Sequence, residues 1–259
     1  MSSKDRREKA RKALMEAEKG NAAKEKTVRL VGGGIVGVIV AAIIGVAVFV
    51  SATSKPPTLN VDPNPNAALP VGVLGSADTY PYAVPGVELA AGLPTIEIWE
   101  DFQCPACGAL ENANGEYIQS LAKEGTVNLV YRPTSLLDSS SNNNSSKRAI
   151  SAWGCAIDQG KNIEYHNEVF RNQPQGKTGW TDEELLQFGS AVGLEGESYA
   201  NFSQCVADLT YLEWAVNSTE IFYNQEIGST PTVLLNGVKI PNEIAATPEL
   251  LNQEISKVQ

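Results

Sequence analysis

The sequence predicts an α/β domain whose two strand-bearing halves are separated by a helical block, carried behind a single membrane-spanning helix. Three observations predict it. An uncharged run of 21 residues, Leu30–Val50, follows a basic tail. A strand–helix–strand pattern starts near Pro94, with Cys-Pro-Ala-Cys at its first junction. Strand signals then disappear from Lys147 to about Glu226 and return at "PTVLLNGVKIP".

The formal net charge of −10 over 259 residues argues against a nucleic-acid partner. The charge is uneven. Residues 1–29 hold ten Lys/Arg and five Asp/Glu, whereas the rest hold ten and twenty-five. A basic tail ahead of an acidic body suggests two environments for one chain. Residues 1–29 read as a charged, partly helical cytoplasmic tail. At about 1.5 Å per residue, Leu30–Val50 spans a hydrocarbon core of roughly 30 Å. The basic residues lie only on its N-terminal side, so the tail stays in the cytoplasm and the body is exported. Two alternatives are a buried helix and a cleaved signal peptide. So long an uncharged run is rare in soluble domains. "VSA" at Val50–Ala52 loosely fits a cleavage site, but the run exceeds the usual ~15 apolar residues. No cysteine stands directly after the run, so lipid attachment is not supported. Gly33, Gly37, Ala41 and Gly45 form a small-residue stripe suited to pairing membrane helices, although Gly and Ala are common in such helices anyway.

Residues 51–93 follow as a linker and N-terminal arm. Pro56, Pro57, Pro63, Pro65 and Pro70 stiffen its first part into an extended spacer, while some of 71–93 is free to pack on the body. The first half of the folded body covers 94–138. "TIEIWEDF", Thr95–Phe102, alternates as a strand. Leu110, Tyr117, Ile118 and Leu121 then share a helical face, and Gly125 can end that helix. "TVNLVYRP", Thr126–Pro133, is a second strand, which completes a βαβ unit. The helical block covers 139–226, and Thr181 with Glu184 forms a capping box inside it. The second half, 227–259, holds a hairpin turning at Asn236-Gly237 and a closing amphipathic helix at Thr247–Val258.

The pair Cys104 and Cys107 has three possible uses: a redox disulfide, a structural staple or half of a zinc site. Zinc needs about four N or S ligands, and here the other cysteines are isolated and His166 is the one histidine. A staple across so small a loop constrains the unfolded chain little. Redox use fits better, because strand, Cys-Pro-x-Cys and helix occur together. Proline is favoured at the first helical position. Cysteines at i and i+3 then lie on one face, close enough for a disulfide. The helix N-terminus favours a thiolate on Cys104, which becomes the exposed attacking sulfur. Cys107, one turn in, is more buried and resolves the mixed disulfide. Far along the chain, Pro231 stands immediately before a strand, which suits a cis Thr230–Pro231 bond.

The segments "EDFQCPAC", "RAISAWGCAIDQGKNIEYHNEVFRNQ", "LLQFGSAVGLEGESYANFSQC" and "GSTPTVLLNG" together resemble the DsbA-like branch of the thioredoxin superfamily, over about residues 94–258. The resemblance implies a thioredoxin fold with an inserted helical domain. It implies Cys104 as nucleophile, Cys107 as resolving partner, and Thr230 with cis-Pro231 facing them to bind an extended substrate chain. It implies no cofactor beyond the Cys104–Cys107 disulfide. Its substrates are reduced or unfolded exported proteins, and a membrane reoxidase of the DsbB or vitamin-K-epoxide-reductase type regenerates it. The tail, anchor and spacer resemble the membrane-tethered actinobacterial versions. Cys155 and Cys205 fall where many relatives have cysteine, which implies a structural disulfide between two helices.

There are departures. Well-known oxidases of the branch have histidine where this chain has Ala106, so Pro105-Ala106 implies a less acidic Cys104 and a weaker oxidant. Some relatives carry a buried acid at the position of Ile98. Glu97, Glu100 and Asp101 are nearby, and alternation puts Glu97 and Asp101 opposite Ile98 and Glu100. Asp101 also reads simply as a polar residue at a strand end. His166 reads as structural rather than as a base. Trp153, Tyr165, Phe170 and Trp180 read as packing of the helical block. The leading reading is a single-pass oxidoreductase with its N-terminus in the cytoplasm, which introduces disulfides into exported proteins. A reductase or isomerase of the same fold, and a non-catalytic redox-tuned sensor ectodomain, are the alternatives.

Overall fold

The computed structural model describes residues 62–73, 82–83, 89–141, 143–174 and 179–259. The tail at 1–29, the anchor at 30–50 and linker residues 51–61 lie outside the described residues. Among those described, no helix is long and apolar enough to cross a membrane.

A five-stranded mixed sheet has the order β1-β3-β2-β4-β5. Its central strand β2 is Thr95–Glu100. Ile96, Ile98 and Glu100 share one buried face, as a period of two requires. The strand stops two residues before the predicted Phe102, because Asp101 leaves the ladder to accept hydrogen bonds from Gln103 N and Leu137 N. β3, Asn128–Pro133, runs parallel to β2 with Ile98 opposite Tyr131. A helical crossover joins the two strands: α1 at Pro105–Leu110, a π turn at Glu111–Gly115, and α2 at Glu116–Lys123. Leu110, Ile118 and Leu121 face the core, and Gly125 ends the crossover at φ +71°. β4 (Thr232–Leu235) and β5 (Val238–Ile240) form an antiparallel hairpin, and β4 pairs with β2. Asn236 and Gly237 both have positive φ, 49° and 78°, the geometry of a tight two-residue turn.

Between β3 and β4 lie α3 (Asp138–Ser141), α4 (Ser145–Asp158), α5 (Asn162–Arg171), α6 (Asp182–Ala191), α7 (Gly196–Ala207) and α8 (Leu212–Asn224). The capping box of Thr181 and Glu184 opens α6. The block shares one hydrophobic cluster with the sheet. Trp153 at its centre meets Phe102 of the active-site turn, Tyr131 of β3 and Trp214 of α8, with ring centroids 5.7–6.3 Å apart. Tyr165, Phe170 and Trp180 are buried in the same cluster. Two short helices, α9 (Asn242–Ala245) and α10 (Pro248–Ser256), follow the hairpin.

The arm differs from its predicted form. Pro63 and Pro65, assigned to the free spacer, border a groove on α8 together with Asn217 and Ile221. Asn64 fixes them there: its N donates to Asn217 Oδ1 at 2.8 Å, and its Nδ2 to Glu213 Oε2 at 2.6 Å. Docking therefore begins well before residue 71. Further on, β1 (Tyr82–Ala83) adds an antiparallel edge to β3. A two-residue strand is too short to show any periodicity in sequence.

Candidate active site

The site grows from the end of β2. Cys104 N donates to Asp101 O at 2.8 Å, which turns the chain. Cys104 is the extended N-cap of α1, and Pro105 follows in its first turn. Cys107 lies one turn deeper and is wholly buried. Pro105 and Ala106 are exposed between them. Antiparallel pairing of β4 with β2, Trp99 opposite Thr232, carries the preceding loop to the same sheet end. The Thr230–Pro231 bond in that loop is cis. The Cys104 thiol donates to Thr230 O at 3.4 Å. This loop covers Cys104, which is only 7 % exposed, so the sulfur predicted to be open is largely sheltered.

The two thiols are driven apart in acidity. A hydrogen bond from the Cys107 thiol does most to stabilise the Cys104 thiolate. The Thr230 side chain and the backbone N–H groups of Cys107 and Ala106 add to it against the cost of burial, and the pKa falls to about 6. The helix N-terminus therefore contributes, but less than the neighbouring thiol. Burial pushes the Cys107 thiol well above its ordinary value, and its hydrogen bond to Cys104 pushes it further.

The family model described as Thioredoxin matches residues 90–255. The chain belongs to the thioredoxin family, in its DsbA-like thiol–disulfide oxidoreductase branch. Reduced DsbG of Mycobacterium tuberculosis is 26 % identical over 68 % of this chain and 84 % of its own, with a TM-score of 0.56. Oxidised DsbA of the same organism is 26 % identical over 68 % and 89 %, again at 0.56. MdbA of Actinomyces oris, a thiol-disulfide oxidoreductase, shares the fold at 23 % identity and a TM-score of 0.62, over 79 % of this chain and 99 % of its own. No curated protein matches the sequence.

In this DsbA-like frame a polar hub holds the active-site turn. Asp101, which the sequence left open between a buried acid and a polar strand-end residue, is fully buried. Its Oδ1 accepts from Gln103 N at 2.8 Å and from Ser146 Oγ at 2.5 Å, and its Oδ2 accepts from Leu137 N at 2.8 Å. Burial raises its pKa to about 7 despite these bonds. Asp138 accepts from Ser146 N and Lys147 N at the start of α4, and from Gln103 Nε2 at 3.0 Å. The hub ties the turn before Cys104 to the helical block. Gln173, just past α5, adds a second tie: its Nε2 donates to Phe102 O and Cys104 O, each at 2.8 Å. Neither tie was found from sequence. Gln173 carries no motif, and an aspartate that stabilises a turn through its side chain is the only hint at 101.

Glu100 settles which acids point inward. It is buried beneath α1, with its Oε1 2.5 Å from His166 Nε2. Burial opposes charge on His166, but Glu100 outweighs it and holds the pKa up at about 9. His166 is thus enclosed and paired, without access to an outside substrate. Glu97 lies on the other face of β2, 2.8 Å from Arg132. In the block, Cys155 and Cys205 are joined, linking α4 to α7 with Cα atoms 5.7 Å apart.

Proposed function

We propose that this enzyme is membrane-tethered and introduces disulfides into exported proteins through Cys104-Pro105-Ala106-Cys107. One arrangement carries the reading: Cys104 caps α1 against the cis Thr230–Pro231 loop with Cys107 buried one turn deeper, which favours a thiolate on Cys104 and disfavours one on Cys107. A stabilised thiolate stabilises the reduced form, which makes the oxidised pair the stronger oxidant. A substrate thiolate attacks Cys104 Sγ. The Cys104–Cys107 bond breaks, the electron pair leaves on Cys107 sulfur, and Cys107 takes up a proton. A second substrate thiolate then attacks the substrate sulfur of the mixed disulfide. Cys104 leaves as a stable thiolate, so two substrate thiols have become one disulfide. Thr230 and cis-Pro231 face the reacting sulfur and bind the substrate backbone. Cys155–Cys205 serves as structural reinforcement.

The reduced pair is reoxidised by a membrane partner of the DsbB or vitamin-K-epoxide-reductase type, as the branch suggests. Residues 30–50 supply the tether, and the basic tail stays cytoplasmic. Purified full-length chain, oxidised, should restore activity to a reduced, unfolded disulfide protein. Its Cys104–Cys107 potential should lie above thioredoxin's, about −270 mV. A potential near that value with no refolding activity would assign the chain to reduction instead.

A further inference from the structure

We infer that Glu100, Glu111 and His166 form a binding site for one divalent transition-metal ion of the zinc class, buried between the active-site helix and the helical block. One carboxylate oxygen from each glutamate and one ring nitrogen of His166 lie within 4.8 Å of one another. They come from three elements: the end of β2, the π turn and α5. A tetrahedral zinc site with bonds of about 2.0–2.2 Å holds its ligand atoms roughly 3.3 Å apart. Small side-chain adjustments close the difference: His166 Nε2 and Glu100 Oε1, hydrogen-bonded at 2.5 Å, move apart to admit the ion.

Four further observations point to a ligand. Glu100 Oε2 and Glu111 Oε1 are buried with no hydrogen-bond partner. Two unpartnered carboxylate oxygens in one buried cluster are costly unless a cation joins them. The backbone is built around the second carboxylate. A Cβ on Gly115 would stand 2.2 Å from Glu111 Oε2, so glycine leaves the room that the carboxylate occupies. The π turn supplies this geometry, and such turns recur at functional sites. The imidazole is oriented from behind. His166 Nδ1 lies 3.0 Å from Asn167 Oδ1, and Asn167 is held by Gln119, which also donates to Tyr131 Oη at 2.9 Å. With Nδ1–H donating to Asn167, Nε2 faces the carboxylates, the usual outer-shell arrangement of a metal-bound histidine. A cavity of about 370 Å³ lined by Glu111, Asn114 and Asn167 borders the cluster on its Glu111 side, the side from which an ion and a fourth, water ligand would come. Arg171 also lines it but pairs with Glu168. The donor set of one imidazole and two carboxylates suits zinc. On binding, the ion displaces the proton shared by Glu100 and His166 and the one that burial keeps on Glu111, and both leave to solvent.

The test uses tag-free full-length chain, washed with chelator and oxidised so that the Cys104–Cys107 disulfide offers no thiolate. Calorimetric titration with zinc should give one ion per chain. Glu111→Gln, with unchanged circular dichroism, should weaken binding by at least about tenfold, the lower end of what losing even an outer-shell partner costs. No saturable binding, or equal affinity in Glu111→Gln, overturns the site. Should Glu111→Gln fail to fold, X-ray absorption of the zinc-loaded wild type decides. The chain has one histidine. A shell with one imidazole and carboxylate oxygens therefore identifies His166, and a shell without imidazole overturns the site. None of these readouts depends on refolding activity, so the oxidoreductase reading stands or falls separately.

Discussion

Cys104 and Cys107 share one helical turn, yet their environments drive them in opposite directions. Cys104 receives hydrogen bonds at a sheltered surface, and Cys107 is enclosed by apolar side chains. In the reduced chain, thiolate absorbance should titrate with a midpoint of about 6 and vanish in Cys104→Ser. The folded pKa lies below the unfolded value of 9.0, so between pH 6 and 9 only the unfolded thiol holds the proton. Stability of the reduced chain relative to reduced Cys104→Ser should therefore rise through that window and lose the difference as pH falls to about 6. Denaturant unfolding of both reduced chains against pH checks the sign, and the comparison cancels Asp101, Glu111 and His166, whose raised folded pKa values act in the opposite direction. Ala106 is exposed between the two sulfurs, and its methyl side chain adds no donor or charge to the backbone N–H it already offers Cys104. Histidine there adds a cationic or hydrogen-bonding neighbour. Ala106→His should raise the reduction potential by at least about 30 mV, tenfold in the exchange equilibrium, and an unchanged potential would remove Ala106 as a tuning position.

At the scale of elements, α1 with its cysteine pair is held in place by the helical block as much as by its own strand. Gln173 satisfies two carbonyls on the turn into α1, Phe102 and Cys104. Gln173→Ala removes the donor to Phe102 O and leaves Cys104 O with the Gly108 N–H alone, and should cost about 2 kcal/mol. It should also move the Cys104 titration midpoint, which a loss of packing far from the thiol would leave alone. The Cys155–Cys205 bond closes a loop with a sequence separation of 50 between α4 and α7. Chain entropy alone makes such a closure worth about 4 kcal/mol. The Cys155→Ser/Cys205→Ser double variant should melt on the order of 10 °C lower for a domain of this size. An unchanged melting temperature would deny the bond a structural role. The π turn shows why crossover periodicity was only partly informative. Its apolar positions were legible at a spacing of 3.6, but five residues in π geometry turn Glu111 and Asn114 inward, which a regular pattern does not foretell.

For the whole molecule, the asymmetry between a basic tail and an acidic body sets the expected topology. The full chain should sediment with membranes and resist extraction by alkaline carbonate, with the body open to protease from outside the cell. A chain lacking residues 1–50 should be released and still refold reduced substrates. Retention of that truncated form on membranes would relocate the tether. Several parts of the fold were plain in sequence because they rest on local physics. Alternation marked β2, Asn236-Gly237 needed positive φ, Thr181 and Glu184 capped α6, and Pro105 opened a helix. The cysteine pair was legible for the same reason: i and i+3 on one turn is a local geometry. Pro231 was legible because a proline heading a strand is locally costly.

By itself the sequence determined the order of β2 to β5 about a helical block, the close cysteine pair and the Thr230–Pro231 loop, since each follows from backbone preferences over a few residues. Tertiary structure alone decided which acids are buried, what covers Cys104 and what holds the turn. Asp101 meets Ser146, Gln173 meets Cys104, and Glu100 meets His166 across separations of 45, 69 and 66 residues. Contacts that distant leave no periodic trace in either segment. They form only when packing the helical block against the sheet excludes water and forces each buried polar atom to find a partner.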